Sequence, residues 1–459
     1  MRDHMFSDKV FFHKMMRITL PVALQSLMLA AVAAADAMML GRVDQNSMAA
    51  VAQATQIQFV QNMFLSAVTG AGSILGAQYW GKKDISTLHK LFAMMLRVGG
   101  LVSALFCAGC LLIPRQLMSI YAGEELIDIG VRYLRITGWS YLITGVSQCY
   151  LTVMKITDHA ATSSFISCGA VLLNIILNAV FIFGLLGVPP MGAEGAAVAT
   201  LISRLVELIL SVVFSAGPSY IRPTLSALIS RSRVLARDFA KCLFPLLGGT
   251  FFWGIGFTLY TAIMGHLGAD TAAANSLAAV VRDLTCCLCN GLASAAGIMV
   301  GNELGAGDLA RGRLYGARMT KLSYLTGFIA MALVLATMPL VLRVAKLTDT
   351  AYQYLFGMLL ITAFYMIGRS VNTITINGVF AAGGDTLFDV YSVFASMWCV
   401  ALPLAFFGAF YFHWPVLAVY ACTCLDEVGK IPWVMYHYFR YKWVRDLTRD
   451  MSSQPAQAK

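Results

Sequence analysis

Three features of this chain predict an all-α membrane protein, with twelve transmembrane helices in two six-helix bundles related by a pseudo-two-fold axis along the membrane normal. Its 459 residues are 59% hydrophobic and only 12% charged, with a mean hydropathy of +0.73, a balance that no single water-soluble domain of this size carries. The apolar residues gather into twelve stretches, each long enough for the roughly 20 residues that a bilayer core of about 30 Å requires. The chain also repeats itself at a spacing of about 224 residues, so that each half holds six stretches.

The stretches run roughly over 17–41, 50–79, 88–113, 126–154, 161–187, 193–215, 239–267, 275–304, 314–343, 350–381, 386–412 and 415–439. In the first, Asp36 is the lone charge between Ile18 and Leu40, accompanied by Thr19, Gln25 and Ser26. The second carries Gln53, Thr55, Gln56, Gln58, Gln61 and Asn62, more amides than a lipid-facing helix tolerates. These either bond helix to helix or line a wet cavity. The fourth has Trp139 and Tyr141, the fifth Asn174 and Asn178 at a spacing that puts both on one face, and the sixth Ala196 and Thr200 followed by Arg204 and Glu207.

The seventh contains Pro245, Trp253 and Tyr260, with no acid from Leu246 to Leu267. The eighth contains Arg282 beside Asp283 and the cysteines Cys286, Cys287 and Cys289, which lack zinc-site spacing and read as packing. The tenth carries Tyr365, Arg369 and Ser370, and the twelfth Asp426 and Lys430. Arg204 with Glu207, and Asp426 with Lys430, have the spacing of same-face ion pairs. Arg369 has no local partner and can face a cleft.

Repeated landmarks tie the halves together: Pro21 with Pro245, Ala49-Ala50 with Ala273-Ala274, and Gly72 to Gln78 with Gly297 to Glu303. Gly81 and Asp84 recur as Gly305 and Asp308, and Asp158 as Asp385. Because six spans return the chain to its starting side, the halves keep one orientation and face each other as two lobes. The expected organisation is a lobe over 1–215, a linker over 216–238 with Pro218 and Pro223, a second lobe over 239–445, and a polar tail over 446–459. The mixed-charge start runs into a full span, with no cleavable signal.

Lysine and arginine set orientation. With the start of the chain placed in the cytoplasm, connections on that side carry Arg2, Lys9, Lys14, Arg17, Lys82, Lys83, Arg231, Arg233, Arg237 and others, whereas the far side carries Arg42, Arg115, Arg343 and Lys346. Both termini are therefore expected in the cytoplasm. The net charge of +10 is spread over short loops, which suits anionic lipid and not nucleic acid.

A carboxylate inside an apolar helix costs roughly 2.5–3.5 kcal/mol to insert and needs a partner, a wet cavity or a proton. If the fifth and sixth spans pack beside the first, Asp36, Asn174, Asn178 and Thr200 offer one carboxylate with neutral oxygens. Such a set suits Na⁺ or a protonatable acid, and equally suits structural helix-to-helix bonding.

The chain resembles the multidrug and toxic compound extrusion (MATE) transporters over roughly residues 10–445. The resemblance rests on Asp36 to Arg42 (DAMMLGR), Leu173 to Gly184 (LNIILNAVFIFG), Met191 to Thr200 (MGAEGAAVAT), Gly301 to Asp308 (GNELGAGD) and Ala382 to Thr386 (AGGDT). It implies two bundles around a V-shaped cleft, and efflux of drug-like compounds driven by inward H⁺ or Na⁺. It also implies a cation site at Asp36, Asn174, Asn178 and Thr200. Some members carry a second acid at the place of Asn178, others acids in the seventh and tenth spans. This chain has neither.

The expected activity is therefore that of a cation-coupled (Na⁺ or H⁺) antiporter exporting cationic or amphipathic organic compounds by alternating access. Pro21 is the expected hinge, and Gln53, Gln56, Gln61, Trp139, Tyr141, Trp253, Tyr260, Tyr365 and Arg369 are the expected substrate cleft. No cofactor beyond the coupling ion is expected. The partners are small-molecule substrates and membrane lipids, around a monomer in the cell membrane. The alternatives are a lipid-linked oligosaccharide flippase or metabolite exporter of related fold, and a polytopic membrane enzyme. A flippase needs several cationic cleft residues, and an enzyme needs paired acids or His/Asp clusters.

Overall fold

The structure, a computed structural model, describes residues 8–230, 232–345 and 347–449. Arg2, Arg231, Lys346 and positions 450–459 of the expected tail lie outside the described residues. In chain order the helices are α1 (Lys9–Gly41), α2 (Gln45–Lys82), α3 (Ile85–Leu112), α4 (Pro114–Tyr121), α5 (Glu124–Ile156), α6 (Ala160–Phe183), α7 (Gly192–Ser215) and α8 (Leu225–Ile229). They continue as α9 (Arg233–His266), α10 (Ala269–Gly305), α11 (Leu309–Val344), α12 (Asp349–Ile374), α13 (Leu387–Val393), α14 (Leu402–Phe410), α15 (Val416–Val428) and α16 (Ile431–Phe439). π-Helical turns at Thr375–Phe380 and Phe394–Ala401 extend α12 and join α13 to α14.

Every expected stretch is helical, because in an apolar medium the backbone must bond within its own segment. Among the described residues nine helices are long and apolar enough to cross a membrane. The remaining stretches are α2 and α5, both richer in polar residues, and the α15–α16 pair. The last pair breaks at Gly429 and Lys430, and Pro432 starts the new helix in its first turn, where its missing N–H costs nothing.

The chain divides into two compact units, one of residues 24–76 and 84–243, the other of 1–23, 77–83 and 244–459. The units depart from the expected lobes in three places, one being residues 239–243, which fall in the first unit. The first part of α1 and the last turns of α2 belong with the second unit, and the change along α1 falls two residues after Pro21.

In the first unit α5 packs on α3 and α7, and α6 lies against α7. Three glycines make the α6–α7 hairpin. Gly184 ends α6 in the left-handed conformation (φ +74) and Gly192 starts α7 with φ +54, both disfavoured for residues bearing a Cβ. At Gly195 the helices approach so closely that a Cβ would lie 2.6 Å from the carbonyl oxygen of Phe181. This contact sets α7 against the asparagine face of α6.

In the second unit α10, α11 and α12 pack on one another and α15 packs on α12. The repeated glycine motif has a physical reason there. A Cβ on Gly81 would lie 1.9 Å from the carbonyl oxygen of Asn302, and one on Gly305 would lie 2.0 Å from that of Gln78. The ends of α2 and α10 thus cross backbone against backbone, each supplying a glycine to the other. The repeated aspartates are helix caps: Asp84 accepts from Thr87 N at 3.0 Å and Asp308 from Arg311 N at 2.9 Å. Nearby, Gln78 donates to the carbonyl of Ala382 at 2.7 Å and accepts from Leu447 N at 2.6 Å. Asp8, just before α1, binds Arg318 of α11 at 2.6 Å.

Two outcomes follow from these contacts. Gly195→Val is expected to destabilise the protein by about 1–3 kcal/mol through forced separation of α6 and α7, whereas Gly169→Ala, whose Cβ meets nothing within 4 Å, leaves thermal unfolding of the purified protein unchanged or slightly raised. The hydrogen bond from Arg318 holds the Asp8 carboxyl below its ordinary value of 3.8. Its contribution is therefore present above that value and lost as pH falls through the lowered one. Melting curves of wild type and Asp8→Asn should differ at neutral pH and converge in acid.

Candidate functional site

The buried polar groups of the first unit form a continuous chain of hydrogen bonds that begins at Asp36. Asn178 of α6, fully buried, donates through Nδ2 to Asp36 Oδ1 at 2.5 Å and to Asn174 Oδ1 at 3.2 Å. The second bond is the i, i+4 contact that their spacing allows. Asn174 in turn donates to Thr200 Oγ1 at 3.4 Å and to Ser203 Oγ at 3.3 Å on α7. Asp36, Asn174, Asn178 and Thr200 thus converge from three helices. The partner of the carboxylate is an amide, not a cation, and Asn178 Oδ1 is buried without a hydrogen bond.

Ser203, one turn beyond Thr200, belongs to this network and was not singled out in the sequence. Its position three residues after Thr200, facing Asn174, was the available signal. Further along α7, the fully buried Glu207 pairs with Arg204 at 2.9 Å, as the spacing predicts. It also accepts from Ser167 of α6 at 3.2 Å and Ser147 of α5 at 3.3 Å, and Gln25 of α1 donates to Ser167 at 2.9 Å. Apart from Gln25 Oε1, which is buried without a partner, the groups named in this second cluster bond one another, so it reads as internal bonding of α1, α5, α6 and α7.

The expected cleft residues fare differently. Gln61 is wholly buried and donates to the backbone carbonyl of Tyr141 at 2.9 Å and to Ser103 at 3.3 Å. It fastens α2 to α5 and α3. Tyr141 is 1% exposed within the core of the first unit. Neither lines a cleft. Trp139, two residues away on α5 and hence on another face, is 51% exposed. Gln53 is half-buried and Gln56 exposed.

In the second unit Trp253 stacks on Phe257 with ring centres 5.3 Å apart, and the Arg369 guanidinium lies 5.6 Å over the Trp253 ring. Arg369 is not free to attract an anion, because Glu427 of α15 binds it at 2.8 Å. The expected pair of Asp426 with Lys430 is also replaced: Lys430 binds Glu427 at 3.2 Å. Glu427 stands three residues before Lys430, the other helical spacing that brings side chains together, and it takes the lysine. Asn372 adds a bond of 2.7 Å to the same carboxylate. Arg282 binds Asp283 at 3.0 Å, as their adjacency suggests. Tyr260 and Tyr365 are both buried and line one narrow cavity with Asp426.

Known proteins share this architecture from end to end. The MatE family model matches residues 21–180 and 245–407, one stretch in each half. The uncharacterized transporter YisQ of Bacillus subtilis is 23% identical over 447 residues, 96% of either chain. A probable multidrug resistance protein NorM of Pasteurella multocida is 26% identical over 429 residues, 87% of this chain and 86% of that one. A crystal structure of a mutant of the Vibrio cholerae MATE transporter VcmN superposes with a TM-score of 0.86 at 15% identity, over 94% of this chain and 97% of that one. The structural likeness shows the fold, all-helical with two six-helix bundles, and the sequence match in both halves shows the family. The chain belongs to the MatE family and is a multi-pass membrane transporter of the MATE type.

Proposed function

We propose that this protein is a cation-coupled antiporter that exports drug-like organic cations or amphipaths, with Asp36 as the carboxylate that binds the driving H⁺ or Na⁺. The observation that carries this reading is a membrane-embedded acid with no salt-bridge partner among the described residues, bonded instead to an amide that passes the contact on to Asn174, Thr200 and Ser203. Binding a cation or a proton at Asp36 removes the charge that Asn178 stabilises. The bonds among α1, α6 and α7 must then rearrange, and α1 has a built weakness at Pro21, whose ring removes one backbone bond. The change of compact unit just beyond Pro21 makes the same place the natural point of bending.

Alternation of the two units would then exchange substrate outward for cation inward. One charge moving down about 150 mV supplies roughly 3.5 kcal/mol, near two and a half decades of concentration ratio, which is adequate for efflux without ATP. The relatives named as multidrug resistance proteins support the drug-like substrate class. The charge bias of the loops supports a cell-membrane location with both termini in the cytoplasm. The pairing of Arg369 with Glu427 weighs against a flippase, since it uses the arginine that a pyrophosphate would need.

The decisive measurement is ethidium efflux from proteoliposomes under separately imposed Na⁺ and pH gradients. Asp36→Asn is expected to abolish gradient-driven efflux while leaving the melting temperature near that of wild type; retention of efflux would remove Asp36 from the mechanism. The wild-type response to one gradient alone identifies the ion. Asn178→Ala removes a charge-assisted bond worth about 1.5–3 kcal/mol, so the apparent affinity for the driving cation should change by roughly one to two decades.

A further inference from the structure

A second acid, remote in sequence from Asp36, also has no salt-bridge partner among the described residues. Asp426 of α15 is 5% exposed and its Oδ1 has no hydrogen-bond partner. It lines a narrow cavity of about 30 Å³, room for one or two waters, bounded by Tyr260 and Thr261 of α9, Asn275 and Arg282 of α10, and Tyr365 of α12. The hydroxyl of Tyr260, a residue 6% exposed, is likewise buried without a partner. Thr261 is exposed and Asn275 half-buried, so the cavity leads from the surface of this unit down to the carboxyl group.

Among the described residues no cation forms a salt bridge with Asp426, although Lys430 and Arg369 lie near enough to act on it. From α10 come Arg282 with its neighbours Asp283 and Cys286, from α12 Tyr365 and Arg369, from α9 Tyr260, and from α15 Tyr420, Cys424, Glu427 and the following Lys430. Beyond them Asp389 of α13 lies near Lys430, Glu427 and Arg369. Arg369 and Lys430 are both held by Glu427. Arg282 is held by Asp283 and rests 4.5 Å over the Phe257 ring. Each nearby cation is committed elsewhere, and Asp426 is the acid left over. A carboxylate buried without a partner is relieved by a counter-ion or by a proton. Among the described residues no group of three or more His, Cys, Asp or Glu side chains gathers to hold a metal ion, and a cavity with room for one or two waters suits a proton.

We propose that Asp426 is a proton-binding site of the second unit, exchanging its proton with water in this cavity. On binding, water delivers H⁺ to the carboxylate and the group becomes a neutral acid able to donate toward Tyr260 or an intervening water; on release the proton returns to water by the same opening. This site is independent of the role given to Asp36.

The test is infrared difference spectroscopy of the full-length protein in vesicles, stepping the pH in Na⁺-free buffer. In Asp36→Asn, which silences the first acid, a protonated-carboxyl C=O band should remain and disappear as pH rises. In the double variant Asp36→Asn/Asp426→Asn that band should be lost, and with Asp426→Glu it should return at a shifted frequency. Tyr260→Phe, which keeps the ring and removes only the hydroxyl, should shift the band or its midpoint, and it decides the matter if Asp426→Asn does not fold. The proposal is overturned by an unchanged band in the double variant, by its absence in Asp36→Asn, by no effect of Tyr260→Phe, or by loss of the band on adding Na⁺ at constant pH.

Discussion

A polar group inside an apolar helix bundle has no water to fall back on, so its position is governed by which neighbour can bond it. That constraint organises both units. In the first, the amide of Asn178 reaches the Asp36 carboxylate and commits Asn174, Thr200 and Ser203 in succession. In the second, Glu427 gathers Arg369, Lys430 and Asn372 around one carboxylate. The difference between the networks lies in charge: Glu427 is bonded to cations, Asp36 to an amide. An acid held only by neutral groups keeps a reason to bind and release a cation, whereas one clasped between cations does not.

These networks need helices brought within bonding distance, and glycine does that work at three named places. Gly195 lets α7 touch the backbone of α6, and Gly81 with Gly305 lets the repeat-related helices α2 and α10 cross at their ends. Small residues serve membrane bundles in this way because lipid offers no hydrophobic drive for helices to associate, so close packing must supply it. The repeated motif therefore marks packing geometry and helix capping, while the acids proposed to bind cations are not repeated. Asp36 has no acidic counterpart at the corresponding place in the second half, and Asp426 has none in the first.

Much of this was legible along the chain. The helical stretches and the six-plus-six repeat follow from hydropathy and spacing alone, since a spanning helix is defined by its own residues. The pairing of Arg204 with Glu207 was legible for the same reason, both lying on one uninterrupted helix. The roles of Gln61 and Tyr141 were not. An amide that fastens three helices and one that lines a cavity have the same composition, and only the approach of α5 and α3 to α2 separates them.

What the sequence by itself determined is the set of helices, their duplication and the type of side chain at each depth, because these depend on local periodicity and on the transfer energy of single residues. Only the tertiary structure decided which polar group meets which: that Asn178 reaches Asp36, that Glu427 takes Lys430 away from Asp426, and that Arg369 is neutralised across 58 residues of chain. The physical reason is that a hydrogen bond or ion pair depends on ångström separations between side chains, and between helices distant in sequence those are fixed by packing.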